Sequence, residues 1–288
     1  MQIKAFTLDS FASKAGGGNP AGVVLDFENL LTPDEMQLIA EKIGFSETAF
    51  IKKSLVADFN VRFFTPTEEV DLCGHATIGA FSLLEHLGIV SVGTYSQETK
   101  AGLLDVEITS DKKVFMDQSL PEFFEKLEVE EISNSLGLDP SSIDVNLPIQ
   151  IVSTGLKDII IPLKSTKNLD EISPDFEKIT SISKKYDVVG YHVFALSNEI
   201  NELAICRNFA PLYGIPEESA TGTSNGALVS YLFEHDKLST TENLSISQGI
   251  SMNKPSTINV SLKIEDKKIK RVLVGGLALN FKEINIQI

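Results

Sequence analysis

Hydrophobic and polar positions along the chain fall into two similar series of short apolar runs and helical repeats. Ile3 to Leu8 and Gly22 to Leu25 read as strands, separated by a loop holding Gly16, Gly17, Gly18, Asn19 and Pro20. Thr32 is placed as an N-cap, Pro33 takes the first helical position and Glu35 completes a capping box. Met36, Ile39, Ala40 and Ile43 then recur at helical spacing until Gly44. Strands follow at Thr48 to Lys52 and Asn60 to Phe64. The segment Ala76 to Leu87 is apolar nearly all round, which predicts a buried helix. Residues 93–117 alternate around Gly102 and predict a hairpin. The second series has strands near Ile149 to Ser153 and Ile159 to Leu163, then a helix from about Pro174 to Lys185. Strands at Tyr191 to Leu196 and Glu202 to Cys206 precede an apolar helix over about Ser224 to Phe233. Strands near 244–247, 256–262 and 272–281 complete it.

The two series share landmarks in the same order. Thr32-Pro33-Asp34 matches Ser173-Pro174-Asp175, each opening a helical segment. Arg62-Phe63-Phe64-Thr65-Pro66 matches Arg207-Asn208-Phe209-Ala210-Pro211, and the segment from Gly74 matches that from Gly222, at offsets of 141, 145 and 148. Such a slow drift is what small insertions leave in a duplicated chain. The fold class is therefore α+β: two similar domains related by a pseudo-twofold, each a curved barrel-like sheet around a central buried helix. Residues 1–117, completed by a C-terminal strand at about 277–288, form the first repeat and residues 118–276 the second. No strand–turn–helix carries a dinucleotide glycine fingerprint.

Charge and cysteine content narrow the function. Forty acidic residues against 25 basic give a net charge of −15, which disfavours nucleic acid as a partner. There is no apolar run of about eighteen residues and no signal-peptide pattern at the start, so a cytoplasmic protein without a membrane partner is expected. Cys73 and Cys206 make no disulfide framework, and no local His/Cys spacing suits a metal.

Both apolar helices begin at a glycine flanked by small polar residues, Cys73-Gly74-His75 and Thr221-Gly222-Thr223. Free N–H groups at such starts favour an anion; the same glycines also suit a plain turn into a core helix, and the sequence leaves both open. Glu47, where a turn meets an apolar strand, is a candidate base as well as an ordinary strand-start carboxylate, and aligning the halves puts Tyr191 opposite it. His75 is a candidate acid/base or a cap. Glu217 and Glu218 either favour the helix start or bind substrate. Cys73 is a candidate thiol or a small buried hydrophobe, and Thr221 at the matching place denies it a thiol partner.

Taken together, several segments resemble the phenazine-biosynthesis protein F family. They are Gly18-Asn19-Pro20-Ala21-Gly22, Ser46-Glu47-Thr48-Ala49-Phe50, Arg62-Phe63-Phe64-Thr65-Pro66, Leu72-Cys73-Gly74-His75-Ala76-Thr77, Gly214-Ile215-Pro216-Glu217, Ala220-Thr221-Gly222-Thr223 and Gln248-Gly249. The resemblance implies a diaminopimelate epimerase-like fold with the active site between the domains. It also implies a cofactor-independent, metal-free isomerase that moves a proton, and so a double bond, within a small carboxylate, in a protein that is often a homodimer. Glu47 becomes the acid/base, His75 and Glu218 its catalytic companions, and Asn19, Gly74, Gly222 and Thr223 the substrate-binding positions. This chain carries Glu218 and Thr223 where the family has Asp and Ser, and Ser219 where it has Pro, so the phenazine precursor is not assumed to be the substrate. An epimerase or racemase of an amino or hydroxy acid, or a non-catalytic metabolite-binding protein on the same fold, are the alternatives.

Overall fold

The computed structural model describes residues 1–288, which divide into two compact units: Met1–Asp117 with Gly275–Ile288, and Gln118–Val274. In the first, β1 (Gln2–Ser10), β2 (Asn19–Asp26), β3 (Thr48–Lys52), β4 (Phe59–Phe64), the short β5 (Glu69–Val70), β6 (Gly93–Thr99), β7 (Gly102–Ile108) and β8 (Val114–Gln118) join the C-terminal strand Ala278–Gln287. That strand pairs antiparallel with β1, and β1 pairs antiparallel with β2. β2 and β3 run parallel, β4 lies antiparallel to β3 and parallel to β6, and β6, β7 and β8 form a meander.

Helix α1 (Pro33–Ile43) starts as its sequence dictates. The Thr32 hydroxyl accepts from the Glu35 N–H, the Glu35 carboxylate accepts from the Thr32 N–H at 2.8 Å, and Gly44 closes the helix at φ 73°. Met36, Ile39 and Ala40 pack with Val24, Phe50, Phe64 and Ile286 on one face of the sheet. Side chains alternate along a strand, so Val23 and Ala49 face the other way, toward α2 (Gly74–His86). Every residue of α2 from Ala76 to Leu84 is buried, as a sequence apolar nearly all round requires.

The second unit repeats this pairing plan. Its strands are β9 (Glu122–Lys126), β10 (Gln150–Ser153), β11 (Lys157–Leu163), β12 (Gly190–Leu196), β13 (Ala204–Ala210), the short β14 (Ile215–Glu218), β15 (Leu244–Gln248), β16 (Ser256–Glu265) and β17 (Lys268–Gly276); the C-terminal strand is thus β18. β9, β10 and β11 pair antiparallel in turn, β11 and β12 run parallel, and β13 lies antiparallel to β12 and parallel to β15. Helices α3 (Val129–Leu136) and α5 (Phe176–Tyr186) cover one face, with Ile132, Leu136, Ile179 and Ile182 in a core with Ile151, Ile159, Tyr191 and Val193. The short α4 (Thr166–Asp170) adds Leu169 to that core. The central helix is α6 (Gly222–Glu234), buried from Ser224 to Leu232. The architecture is the α+β one expected, a curved mixed sheet around one buried helix in each unit.

Several elements differ from the expectations. Residues 93–118 form three strands rather than one hairpin, and the strand expected at 272–281 is two, β17 and β18, separated at Leu277. Asn19 and Pro20 lie in β2 rather than in the loop; β3 begins only opposite Gly22, so no neighbour on that side asks for the N–H that proline lacks. Asp175, not Ser173, caps α5, its carboxylate accepting from the Lys178 N–H. Helix α3 has no counterpart among the expected elements. The strand registers also shift one alignment. With Phe64 matched to Phe209, Thr48 corresponds to Tyr191, because each is the cross-strand partner of that phenylalanine. Glu47 therefore corresponds to Gly190, and not to Tyr191.

Candidate active site

In the first unit the chain brings Glu47, Cys73 and His75 together from two separate places. Glu47 stands one residue before β3, with its carbonyl held by the Gly22 N–H at 3.1 Å, so the start of the parallel β2–β3 pair fixes its backbone. Cys73 is the N-cap of α2 in an extended conformation and offers the helix no side-chain cap. Gly74 and His75 open the helix. The Ser10 hydroxyl donates to the His75 carbonyl at 2.7 Å, and Ser10 is the cross-strand partner of Asn19, the first residue of β2. Asn19 is thereby placed beside the helix start with 6 % exposure.

The imidazole sits between two reactive groups. Its Nε2 is 3.3 Å from Glu47 Oε2 and 3.5 Å from the Ser46 hydroxyl, while its Nδ1 is 3.4 Å from Cys73 Sγ. The ring is one-tenth exposed and the carboxylate about one-fifth. A proton can pass along such a line, because a neutral imidazole donates at one nitrogen and accepts at the other. The same three side chains each offer one ligand atom within 4.8 Å of the others, so they could also hold a metal ion. No local spacing reveals this, since Glu47 lies 26 residues before Cys73.

In the second unit Glu218, Gly222 and Thr223 gather at the start of α6. Glu218 ends β14, and Thr221 is the N-cap, extended and without a side-chain cap, as Cys73 is in its own unit. The Thr154 hydroxyl donates to the Thr223 carbonyl at 2.9 Å, the counterpart of the Ser10–His75 bond. Glu217 has another task. Arg207 donates to both its oxygens at 2.9 and 2.8 Å and Ser251 adds a third bond at 2.6 Å. The first unit repeats this device with Arg62 and Glu69, at 2.6 and 2.8 Å. Glu217 is thus a structural partner, which leaves Glu218 as the candidate for substrate.

Beneath the α6 start runs a buried polar network that the sequence did not suggest. Ser224 donates to Asp158 at 2.6 Å, and Asn208 donates to both Ser224 and His192 Nδ1. His192 Nε2 lies 3.3 Å from Asn225 Oδ1, and Asn225 donates to Gln248 at 2.8 Å and to the Thr221 carbonyl. Gln248 then donates to the Glu218 carbonyl at 2.8 Å and to the Thr221 hydroxyl. Accepting at Nδ1 fixes the proton of neutral His192 on Nε2. Burial lowers the His192 ring to about 4, and burial raises the Asp158 carboxyl to about 6 against the pull of the Ser224 and Gly190 hydrogen bonds.

Comparison with known proteins places the chain in a family. The model of the family described as phenazine biosynthesis-like protein matches residues 8–283. The chain belongs to that family. Escherichia coli K12 has a relative named as the uncharacterized isomerase YddE, 35 % identical over 97 % of this chain and 96 % of its own. The trans-2,3-dihydro-3-hydroxyanthranilate isomerase of Pseudomonas chlororaphis is 27 % identical over 95 % of each chain. The crystal structure of a phenazine biosynthesis protein of the PhzF family from Bacillus anthracis superposes with a TM-score of 0.89, at 33 % identity over the whole of both chains. In reaction class this phenazine biosynthesis-like protein is an isomerase, and its family processes small molecules. No helix is long and apolar enough to cross a membrane.

Proposed function

We propose that this isomerase shifts a proton within a small unsaturated carboxylate, with Glu47 as the group that removes and returns it. The observation that carries the reading is the 3.3 Å approach of Glu47 Oε2 to His75 Nε2 at the start of α2. A carboxylate so placed can take a proton from a carbon made acidic by an adjacent carboxylate or double bond. Proton transfer of this kind contributes about 10²–10⁴-fold to a rate. His75 orients Glu47 and shares its proton. The first-turn amides at Gly74 and Gly222 are assigned to the negative charge that develops on the substrate. Glu218, Thr223 and Asn19 are assigned to its orientation. Glu218 is one methylene longer than the family's Asp, and Thr223 carries a methyl that Ser lacks. These two differences favour a substrate shaped differently from the dihydro-hydroxyanthranilate on which the Pseudomonas relative is named to act.

Migration is favoured over inversion by what the second unit has at the matching places. Gly190 corresponds to Glu47, and a Cβ there would stand 1.9 Å from the Phe209 carbonyl oxygen. Thr221 corresponds to Cys73. Neither supplies an acid or a base, whereas inversion of a stereocentre needs proton donor and acceptor on opposite faces. One carboxylate that returns the proton on the face it came from suits a 1,3-shift across an allylic unit, in which the proton leaves one end carbon, returns to the other and the double bond moves by one carbon.

The test is proton exchange in heavy water over a panel of small unsaturated, amino and hydroxy carboxylates, read by mass spectrometry beside Glu47→Gln. A mass gain that needs Glu47 supports the reading. Exchange that survives Glu47→Gln removes Glu47 as the base, and inversion without double-bond migration moves the enzyme to the epimerases.

A further inference from the structure

We infer that Glu47, Cys73 and His75 form a binding site for a thiophilic divalent cation, with Zn²⁺ as the ion their donor set suits, and that its occupancy switches the isomerase off. The donors are one thiol sulfur, one imidazole nitrogen and one carboxylate oxygen, all mutually within 4.8 Å. Zinc takes these three ligand types, at about 2.3 Å for sulfur and about 2.0–2.2 Å for nitrogen and oxygen. Tetrahedral donors at those lengths stand roughly 3.2–3.7 Å apart. The Nε2–Oε2 separation of 3.3 Å and the Sγ–Nδ1 separation of 3.4 Å each fall in that range. A single ion uses one ring nitrogen, so either Cys73 or Glu47 must swing toward the nitrogen its partner now faces. The 4.8 Å limit keeps that adjustment to about an ångström.

The surroundings support the choice of ion. Cys73 and His75 flank Gly74, the first residue of α2, so one helix start fixes the backbone of two of the three donors. Three protein ligands leave a fourth tetrahedral position for water or for an oxygen of the substrate, the pattern of an accessible zinc site. Mg²⁺ and Ca²⁺ prefer all-oxygen shells, and a set whose other two donors are a sulfur and an imidazole nitrogen suits them poorly. The inhibitory half of this inference rests on the function proposed above: an ion held by Glu47 and His75 occupies the lone pairs that would take the proton. The binding half does not depend on that function.

Binding is measured first without turnover. Metal-stripped protein is titrated with Co²⁺ and its visible and near-ultraviolet absorption recorded; Zn²⁺ affinity is then read by competition with a chromophoric chelator. One equivalent of Co²⁺ should give intense tetrahedral bands and a thiolate-to-metal charge-transfer band. Cys73→Ser should abolish the charge-transfer band, and both Cys73→Ser and Glu47→Gln should weaken Zn²⁺ about tenfold or more. Cys206→Ser, at the other free thiol, should change neither. Circular dichroism of each variant confirms that it is folded. A pale octahedral cobalt spectrum, or a Zn²⁺ affinity indifferent to Cys73→Ser, overturns the site. With a substrate from the exchange panel, Zn²⁺ should inhibit the wild type stoichiometrically and Mg²⁺ should not. Cys73-dependent binding that leaves exchange untouched overturns the switch while keeping the site, and it counts separately against Glu47 as the base.

Discussion

The starts of α2 and α6 have the same backbone plan and opposite foundations. Each helix begins at a glycine after an extended N-cap, and a hydroxyl at or just past a strand end, Ser10 or Thr154, holds the carbonyl of the second helical residue in both. Beneath α2 the strands present Ala21, Ala49 and Phe63, all fully buried, and the helix adds Ala76. The strand registers put Asp158, His192 and Asn208 at the matching strand positions beneath α6, and the helix adds Ser224. The strand face beneath the start of α2 is thus apolar. The loop from Glu218 to Thr221 is tied by directional bonds from Gln248 and Asn225. A duplicated backbone can hold different chemistry in its two copies because backbone pairing sets the frame and the inward side chains decide what it carries.

The sharpest way to break this comparison is at Glu47. Glu47→Gln keeps the packing and should lower turnover about 10²–10⁴-fold with little change in melting temperature. A melting temperature that falls with activity would make Glu47 part of the floor. The matching position in the second unit should behave in the opposite way. Gly190→Ala pushes a methyl against the Phe209 carbonyl oxygen and should cost about 3 kcal/mol or more in denaturant unfolding. An unaffected midpoint would show that β12 moves aside.

The polar floor also sets a pH signature. The folded-state pKa of Asp158, about 6, lies above its unfolded value, so its contribution to stability is full below about pH 4 and is lost as pH rises through 6. His192 is depressed to about 4, so its contribution is full above about pH 6.5 and is lost as pH falls through 4. The two slopes oppose each other. Asp158→Asn removes one of them. Its stability relative to wild type should rise from near zero below pH 4 to about 3 kcal/mol above pH 6, by thermal melts across that range. A loss at every pH would show that the network needs the carboxylate itself.

Gln248→Ala removes the hydrogen bonds that Gln248 makes with Asn225, the Glu218 carbonyl and Thr221, and should cost about 2 kcal/mol. Because it loosens the Glu218 loop, KM should rise more than kcat falls; an equal fall in both would mean that Gln248 matters to the transition state instead. The smallest effect calibrates the rest. Thr32→Ala removes the α1 capping box, far from either floor, and should cost about 1 kcal/mol without touching turnover.

Helix starts and helix faces were the most legible features. The capping box of α1, the all-round apolar α2 and α6 and the glycine before each are local, so propensity and periodicity report them. Helix α3 was legible too and was missed: Val129, Ile132 and Leu136 lie at helical spacing, Glu130 and Glu131 sit in the first turn and Gly137 stands at the end in the left-handed conformation. Its segment is short and polar enough to pass for a loop. The break at Leu277 was legible in part: the expected domain boundary falls there, and Gly275-Gly276 just before it is a turn signal, but the apolar run over 272–281 reads across it as one strand. The misaligned Tyr191 is a register error of one residue. In a strand, one residue exchanges the faces, so only hydrogen-bonded pairing could correct it.

The sequence by itself determined the duplication, the two buried helices and, through a few ordered motifs, the family. Those depend on local spacing and on residue order. The tertiary structure alone decided that Glu47 meets His75 and Cys73, that Glu217 belongs to Arg207, and that seven polar side chains from Asp158 to Gln248 share one network. The reason is physical. A hydrogen bond or an ion pair acts over about 3 Å, and the partners here lie up to 66 residues apart along the chain. Only the folded sheet brings them within that reach.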